Sequence, residues 1–381
     1  MTNEYLAKTF QGLEGVLEQE LLDLGAKRIK KLSRAVSFEG DIELLYKSNL
    51  NLRTALRILH PIGVDTARNQ KELYDLAHSI NWLRWFNADQ TFAINARVFK
   101  SEKFNNSTFV ALKVKDAICD QFRRLRGSRP SVDKADPDIL IDVHVYRDKC
   151  TISIDSSGAS LHRRGYRDSG HRAPLNEVLA AGMVLLSGWD INTPLIDPFC
   201  GSGTILTEAA MYAHNVAPNI QRRSFGFCEW KNFDNKLWEK IWLQAKTAER
   251  DYTGKLIGSD ISRKIIQFAR QQVAHAGVDE CIRLSAKPFS ERSVPNGPGT
   301  VITNPPYGDR LSFFDIEKLY KSIGDKLKSD YSGYNAWIIS SVEKFNRFIG
   351  LSPSKRIVLF NGGLECRFMK FEIYKGTRRK D

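Results

Sequence analysis

Leu195-Ile196-Asp197-Pro198-Phe199-Cys200-Gly201-Ser202-Gly203-Thr204 decides how the C-terminal half of this chain reads. Leu195 and Ile196 belong to a short apolar strand closed by a carboxylate, and Gly201 and Gly203 let the backbone turn sharply into a helix predicted from Thr204 to Met211. Such a turn, at the strand ends of a doubly wound sheet, can hold a ligand against backbone NH groups. Two rival ligands are disfavoured by spacing. A Walker loop needs Lys before Ser or Thr, and no Lys occurs here. A dinucleotide fingerprint needs glycine where Leu206 stands and an acid about 20 residues on, whereas the next strand-end acid is the distant Asp260.

Beyond the turn, strand and helix patterns alternate. Strands are predicted at 194–198, 255–260, 281–285, 300–304 and 335–340, with a terminal hairpin at 355–361 and 366–374. The fold class is therefore α/β, with a mostly parallel seven-stranded sheet covered on both faces and antiparallel pairing at one edge. The fourth strand, ending Val301-Ile302-Thr303, runs straight into Asn304-Pro305-Pro306-Tyr307-Gly308, 107 residues after Asp197. An exocyclic amine on guanine or adenine has its lone pair delocalised into the ring, and hydrogen bonds to its NH groups favour a more nucleophilic, pyramidal nitrogen. The Asn304 side-chain carbonyl and the Pro305 backbone carbonyl are suitable acceptors. The prolines fix φ and remove competing NH donors, while Tyr307 offers a face for stacking a base. Alone, Asn-Pro-Pro reads as a turn. Combined with the glycine turn, it points to methyl transfer from S-adenosylmethionine to a nucleobase amino group, with alignment supplying much of the rate.

The chain has 381 residues, which predicts two or three domains, and its 57 Lys and Arg against 44 Asp and Glu leave a net charge of +13. That balance suits a polyanion without separating RNA from DNA. No stretch approaches the roughly 18 apolar residues of a bilayer crossing. Met1-Thr2-Asn3-Glu4-Tyr5-Leu6 lacks the basic region and apolar run of a secretory signal, and the six cysteines sit singly without CxxC pairs. These features predict a cytoplasmic protein with no membrane partner and no metal site, its cysteines, Cys200 included, acting as small buried hydrophobes.

Residues 1–60 predict a small α+β unit, with an amphipathic segment over Gly12–Leu24, a strand over Ala35–Glu39 and helical spacing through Leu44, Leu45, Leu52 and Leu56. Residues 61–160 predict a second module. Its parts are a helix over Lys71–Phe86, a strand over Thr91–Val98, a basic helix over Phe109–Leu125 and a hairpin of Ile139–Val145 with Cys150–Asp155. The polar, basic stretch 161–173 reads as a linker, and 174–381 as the C-terminal domain, opening on a helix over Leu175–Leu186 with Pro174 at its start. Lys113, Lys115, Arg123, Arg124, Arg126 and Arg129 cluster on and after one helix, where they can bind phosphates; otherwise they form a solvated face. Arg163, Arg164 and Arg167 either touch RNA or fix the interdomain angle. Trp82, Trp85 and Phe86 are expected in packing rather than in base stacking.

Through Leu161-His162-Arg163-Arg164-Gly165-Tyr166-Arg167, Ala173-Pro174-Leu175-Asn176-Glu177, the Asp197–Thr204 turn and Asn304–Gly308, nearly the whole chain resembles one family. These are the bacterial ribosomal RNA guanine-N2 methyltransferases built from a ferredoxin-like segment, a THUMP domain and a Rossmann-like class I methyltransferase domain. The resemblance implies that Asp197, Pro198, Cys200, Gly201, Ser202, Gly203, Thr204, Asp260, Ile261 and Asn304 border S-adenosylmethionine. It implies that Asn304, Pro305, Pro306 and Tyr307 hold the guanine amine, and that residues 61–155 are a THUMP domain positioning structured RNA, expected to be 23S ribosomal RNA. In that context Lys113, Arg123, Arg124 and Arg126 on its basic helix, with Arg163 and Arg164 of the linker, are the RNA-binding candidates. One departure stands out: related enzymes carry an acid after the third strand, where this chain has Ser285-Ala286-Lys287-Pro288-Phe289. Asn176 stands where relatives often have Lys and receives no role. Transfer RNA as substrate, adenine-N6 methylation of DNA, and a catalytically silent RNA-binding protein are the competing readings.

Overall fold

The computed structural model describes residues 2–167, 175–306 and 313–374. Tyr307, Gly308, Pro174 and residues 168–173 of the expected linker therefore lie outside the described residues. Eight strands form one sheet: β1 Asn3–Lys8, β2 Lys27–Leu32, β3 Ala35–Gly40, β4 Arg57–Thr66, β5 Thr91–Phe99, β6 Ser131–Val132, β7 Ile139–Tyr146 and β8 Lys149–Asp155. Their order is β2-β3-β1-β4-β8-β7-β5-β6. The strand that joins its two halves is β4, antiparallel to β1 over Arg57–Leu59 and to β8 over Leu59–Thr66. Residue 60, where the first segment was expected to end, thus falls inside a strand. Pro61 and Gly63 hide β4 from a reading of alternation, because proline and glycine weaken a strand pattern. The register shifts between those same two residues, a bulge that accommodates them.

Four helices accompany this sheet: α1 Glu14–Asp23, α2 Ile42–Asn51, α3 Gln70–Ser79 and α4 Ser107–Arg126. The expected helix over Lys71–Phe86 is broken, since α3 stops at Ser79 and a 3-10 turn follows at Trp82–Arg84. Gln121 of α4 supports the break. Its side-chain oxygen accepts from the Trp82 NH at 3.1 Å, and its Nε2 donates to the carbonyls of His78 and Ile80 at 2.8 and 2.7 Å. Trp82, Phe86, Phe92 and Phe122 fill the core beside it, and Trp85 is buried too, as packing required.

The chain folds as two units. One comprises Met1–Thr9, Glu18–Leu161 and Arg222–Leu243; the other comprises Phe10–Leu17, His162–Gln221 and Gln244–Asp381. Arg222–Leu243 thus belongs with the first unit despite its position late in the chain. Its Phe227 is fully buried, with ring centroids 4.3 Å from Tyr46 of α2, stacked, and 5.2 Å from Trp238. Tyr46 also accepts the Asp234 NH through its hydroxyl at 3.1 Å.

The second unit carries α5 Glu177–Ser187, α6 Thr204–Ala213, part of α7 Asn235–Thr247, α8 Arg263–His275, α9 Phe313–Asp330 and α10 Phe345–Ile349. Its strands are β9 Leu195–Asp197, β10 Leu256–Asp260, β11 Ile282–Ala286, β12 Gly299–Thr303, β13 Tyr334–Ser340, β14 Lys355–Asn361 and β15 Leu364–Glu372. The order is β11-β10-β9-β12-β13-β15-β14, parallel from β11 to β13, with β15 antiparallel to both of its neighbours. This is the expected Rossmann-like sheet with its edge hairpin, and β9 and β12 lie side by side at its centre. Helix α5 starts two residues later than its periodicity suggests, because Asn176 acts as its cap, accepting the Val178 NH at 2.9 Å.

Truncating a fully buried Phe to Ala costs about 3–5 kcal/mol. Phe227→Ala should lower the stability of the first unit by that order in urea unfolding followed by tryptophan fluorescence; a loss within error of zero would show that Arg222–Leu243 does not contribute to its core.

Candidate active site

The end of β9 is lashed to its neighbours by backbone bonds. The Cys200 NH donates to the Ser259 carbonyl of β10 at 2.9 Å, and the Gly203 NH to the Cys200 carbonyl at 2.8 Å, closing the turn. Gly201 and Gly203 sit at φ +51° and +80°, and a Cβ on Gly201 would meet nothing within 4 Å, so the turn faces open space there. Gly203 caps α6 without a side-chain acceptor, which leaves the first NH groups of a ten-residue helix for a ligand. Cys200 is buried and its thiol is pushed well up by burial, the inert condition expected of a small hydrophobe.

Asp260 closes β10. One of its oxygens accepts the Ser262 NH at 2.9 Å, and Ser262 in turn caps α8 through Ile265. The adjacent Ile261 is 79% exposed, an apolar surface beside a half-buried carboxylate. That pair suits the ribose hydroxyls and base of a nucleoside. At the end of β11, Ala286 and Lys287 are exposed and no acid follows until Glu291, on a 3-10 turn over Phe289–Glu291, so the departure seen in the sequence stands in the structure.

Asp197 differs from Asp260. It was expected to border the same crevice, but it is only 1% exposed and its carboxylate is engaged by donors of the adjoining turn and strand. Its Oδ1 accepts the Phe199 NH at 3.2 Å and the Thr303 hydroxyl at 2.7 Å. Thr303 was not singled out from the sequence, although a polar residue closing the apolar run Val301-Ile302 was its signal. Asn304 follows. Its side-chain oxygen is buried and makes no hydrogen bond among the described residues, Pro305 is buried and Pro306 half-buried. Tyr307 lies outside the described residues.

The linker arginines divide by burial. Arg163 is exposed, but Arg164, expected on RNA, is 1% exposed and lies against Glu208 of α6 with its Nε 3.4 Å from Oε1. Tyr166 donates to the same oxygen at 3.0 Å. A guanidinium sealed in this way is committed to a buried carboxylate and cannot reach a phosphate. Arg167 pairs with Glu177 at 2.7 Å and donates to the Thr204 hydroxyl at 2.6 Å, supporting the start of α6. In the first unit Lys113 lies over the Phe109 ring, Arg123 pairs with Asp120, and Arg124 and Arg126 are exposed at the end of α4. No cluster of potential metal ligands occurs among the described residues, and no described helix is long and apolar enough to cross a membrane.

Residues 164–370 match the RMKL-like methyltransferase domain, 67–155 the THUMP domain and 4–59 the RlmL ferredoxin-like domain. The chain belongs to the RMKL-like methyltransferase family. It is 40% identical to a Synechocystis protein named as an RNA methyltransferase, over 98% of this chain and 97% of that one. It is also 40% identical to the ribosomal RNA large subunit methyltransferase K/L of Shewanella woodyi, over 99% of this chain but 54% of that longer protein. A methyltransferase homologue crystallised with SAH superposes with a TM-score of 0.90 at 28% identity, covering 99% of each chain. As a member of this family the chain uses S-adenosylmethionine, and its β9 turn, Asp260 and Ile261 fit that cofactor: free helix NH groups, a ribose-ready carboxylate and an open apolar face.

Burial pushes the Asp197 carboxyl up to about 7 from 3.8, against the lowering effect of the Thr303 and Phe199 bonds. A carboxyl with a raised folded value binds its proton more tightly in the folded state. Its contribution to stability is therefore complete below about pH 4 and is lost as the pH climbs to about 7. Asp197→Asn keeps an oxygen for Thr303 and removes the titration. Its Tm relative to the unsubstituted protein should rise between pH 5 and pH 8; a difference constant across that range would refute the assignment.

Proposed function

We propose that this chain transfers the methyl group of S-adenosylmethionine to the exocyclic N2 amine of a guanine in large-subunit ribosomal RNA. The observation that carries the reading is the buried side-chain oxygen of Asn304, which has no partner among the described residues. An unsatisfied buried acceptor costs about 1–3 kcal/mol, so a site that keeps one is organised for a donor it does not itself possess. An amine NH is such a donor. Pro305 and Pro306 offer no NH of their own to fill the acceptor.

When bound, S-adenosylmethionine supplies an electrophilic methyl on a sulfonium that departs as a neutral thioether. The protein's part is orientation. Asn304 Oδ1 and the Pro305 carbonyl accept the two amine protons, which turns the nitrogen lone pair away from the base plane and toward the crevice above the β9 turn. Burial of Pro305 keeps water from competing for the amine. No general base is needed before transfer, because the proton leaves only after the nitrogen has gained its methyl and its acidity. The stacking role of Tyr307 rests on the motif alone. Guanine as the base follows from the family resemblance, and ribosomal RNA is supported by the name of the Shewanella woodyi relative. The THUMP domain supports an RNA substrate over DNA, and Lys113, Arg123, Arg124, Arg126 and Arg163 are assigned to its phosphates.

With labelled cofactor and ribosomal RNA lacking the modification, Asn304→Ala should lower kcat on the order of 100-fold, the scale of a misplaced reacting group. Nucleoside mass spectrometry should identify N2-methylguanosine in the product. Undiminished turnover would sink the role of Asn304, and preferred labelling of transfer RNA or of adenine in duplex DNA would reassign the substrate. Replacing Arg123, Arg124 and Arg126 together by Ala should weaken RNA binding and reduce the slope of log affinity against log salt by about 0.7 per lost phosphate contact. An unchanged slope would remove these residues from the interface.

A further inference from the structure

We propose that Thr303 is a positioning residue of the transfer site, joining the start of the amine-accepting turn to the start of the cofactor turn through the Asp197 carboxylate. The inference rests on the function proposed above. Thr303 closes β12 and Asp197 closes β9, and the ladder between these two parallel strands is short: Thr300 pairs with Leu195 and Val301 with Ile196. Beyond that point no ladder pairing fixes one strand end against the other. The Thr303 hydroxyl spans the gap, donating to Asp197 Oδ1 at 2.7 Å, with both side chains 1% exposed. The same oxygen accepts the Phe199 NH at 3.2 Å, inside the turn that leads to Gly201 and Gly203. One carboxylate oxygen thereby meets both halves of the site.

Asn304 makes this connection necessary. If its side-chain oxygen is to receive the substrate amine, it cannot be held by a hydrogen bond of its own, and among the described residues it has none. Its position must come from the chain on either side. On one side Pro305 fixes φ. On the other stands Thr303, whose β-branched side chain is stiff about χ1 and whose hydroxyl can donate to Asp197 whether that carboxyl is ionised or carries a proton on its other oxygen. Arg292, buried near Asp197, makes no hydrogen bond to it among the described residues, so it does not replace the hydroxyl.

The test compares Thr303→Val, Thr303→Ala and Thr303→Ser by steady-state kinetics, with SAH affinity by calorimetry and Tm as the check on folding. Removing the hydroxyl should lower kcat on the order of 10- to 100-fold while KM for S-adenosylmethionine and SAH affinity stay within about threefold, since a misplaced acceptor impairs transfer rather than cofactor binding. Thr303→Ser should recover most of the rate. Wild-type kcat in the Val variant, or a Ser variant as slow as Val, overturns the proposal. Should the Val variant not fold, Ala against Ser carries the comparison, and equal rates overturn it. Asn304→Ala is measured alongside. Its full activity would remove the underlying reading of the site, whereas its loss of activity with Thr303→Val unaffected would remove only the role of Thr303.

Discussion

The Asp197 carboxylate, buried where β9 stops, is the group around which the methyltransferase unit is arranged. Its Oδ1 takes the Phe199 NH, which starts the glycine turn, and the Thr303 hydroxyl, which precedes Asn304. Burying a carboxylate is costly unless its oxygens find donors, and here the donors are the two segments that must be kept in register. The raised carboxyl pKa records the cost of that burial. A hydrophobic residue at 197 would remove the cost and with it the reason for the two segments to meet.

A second set of buried charges is tied to the helix that follows this turn. Arg164, Tyr166 and Glu208 form a sealed cluster on α6, and Arg167 joins Glu177 of α5 to Thr204 at the first residue of α6. Helix α6, whose first NH groups are left without a side-chain cap, is thus held at its start and along its body by residues from the stretch read as a linker. Removing one partner of a buried pair leaves an uncompensated charge, which costs about 3–5 kcal/mol. Basic residues in that stretch are structural where they are buried, and among its described arginines Arg163 is the exposed one.

Much of this was legible in the amino-acid order because it is local. The strand that ends in Asp197, the glycine turn, the prolines after Asn304 and the alternation of strand with helix are all properties of short windows, where period, φ preference and missing NH groups speak directly. The same short-range signals failed where contacts are distant in sequence. Strand β4 carries Pro61 and Gly63 and reads poorly as a strand, yet it joins the two halves of the first sheet. The break after α3 depends on Gln121, about forty residues away. Arg222–Leu243 returns to the first unit because Phe227 and Trp238 find Tyr46 there, an aromatic contact invisible to periodicity.

The sequence by itself determined the class of sheet, the strand that ends in Asp197, the glycine turn after it and the proline-flanked Asn304 that follows β12, because each follows from residue type and spacing within one strand and its turn. Only the tertiary structure decided that Asp197 is buried, that Thr303 is its partner and that Arg164 is buried. Those outcomes depend on which side chains face one another across neighbouring strands and helices. Burial and pairing are properties of the packed chain, and a charged residue reads the same in sequence whether water or a buried counter-ion receives it.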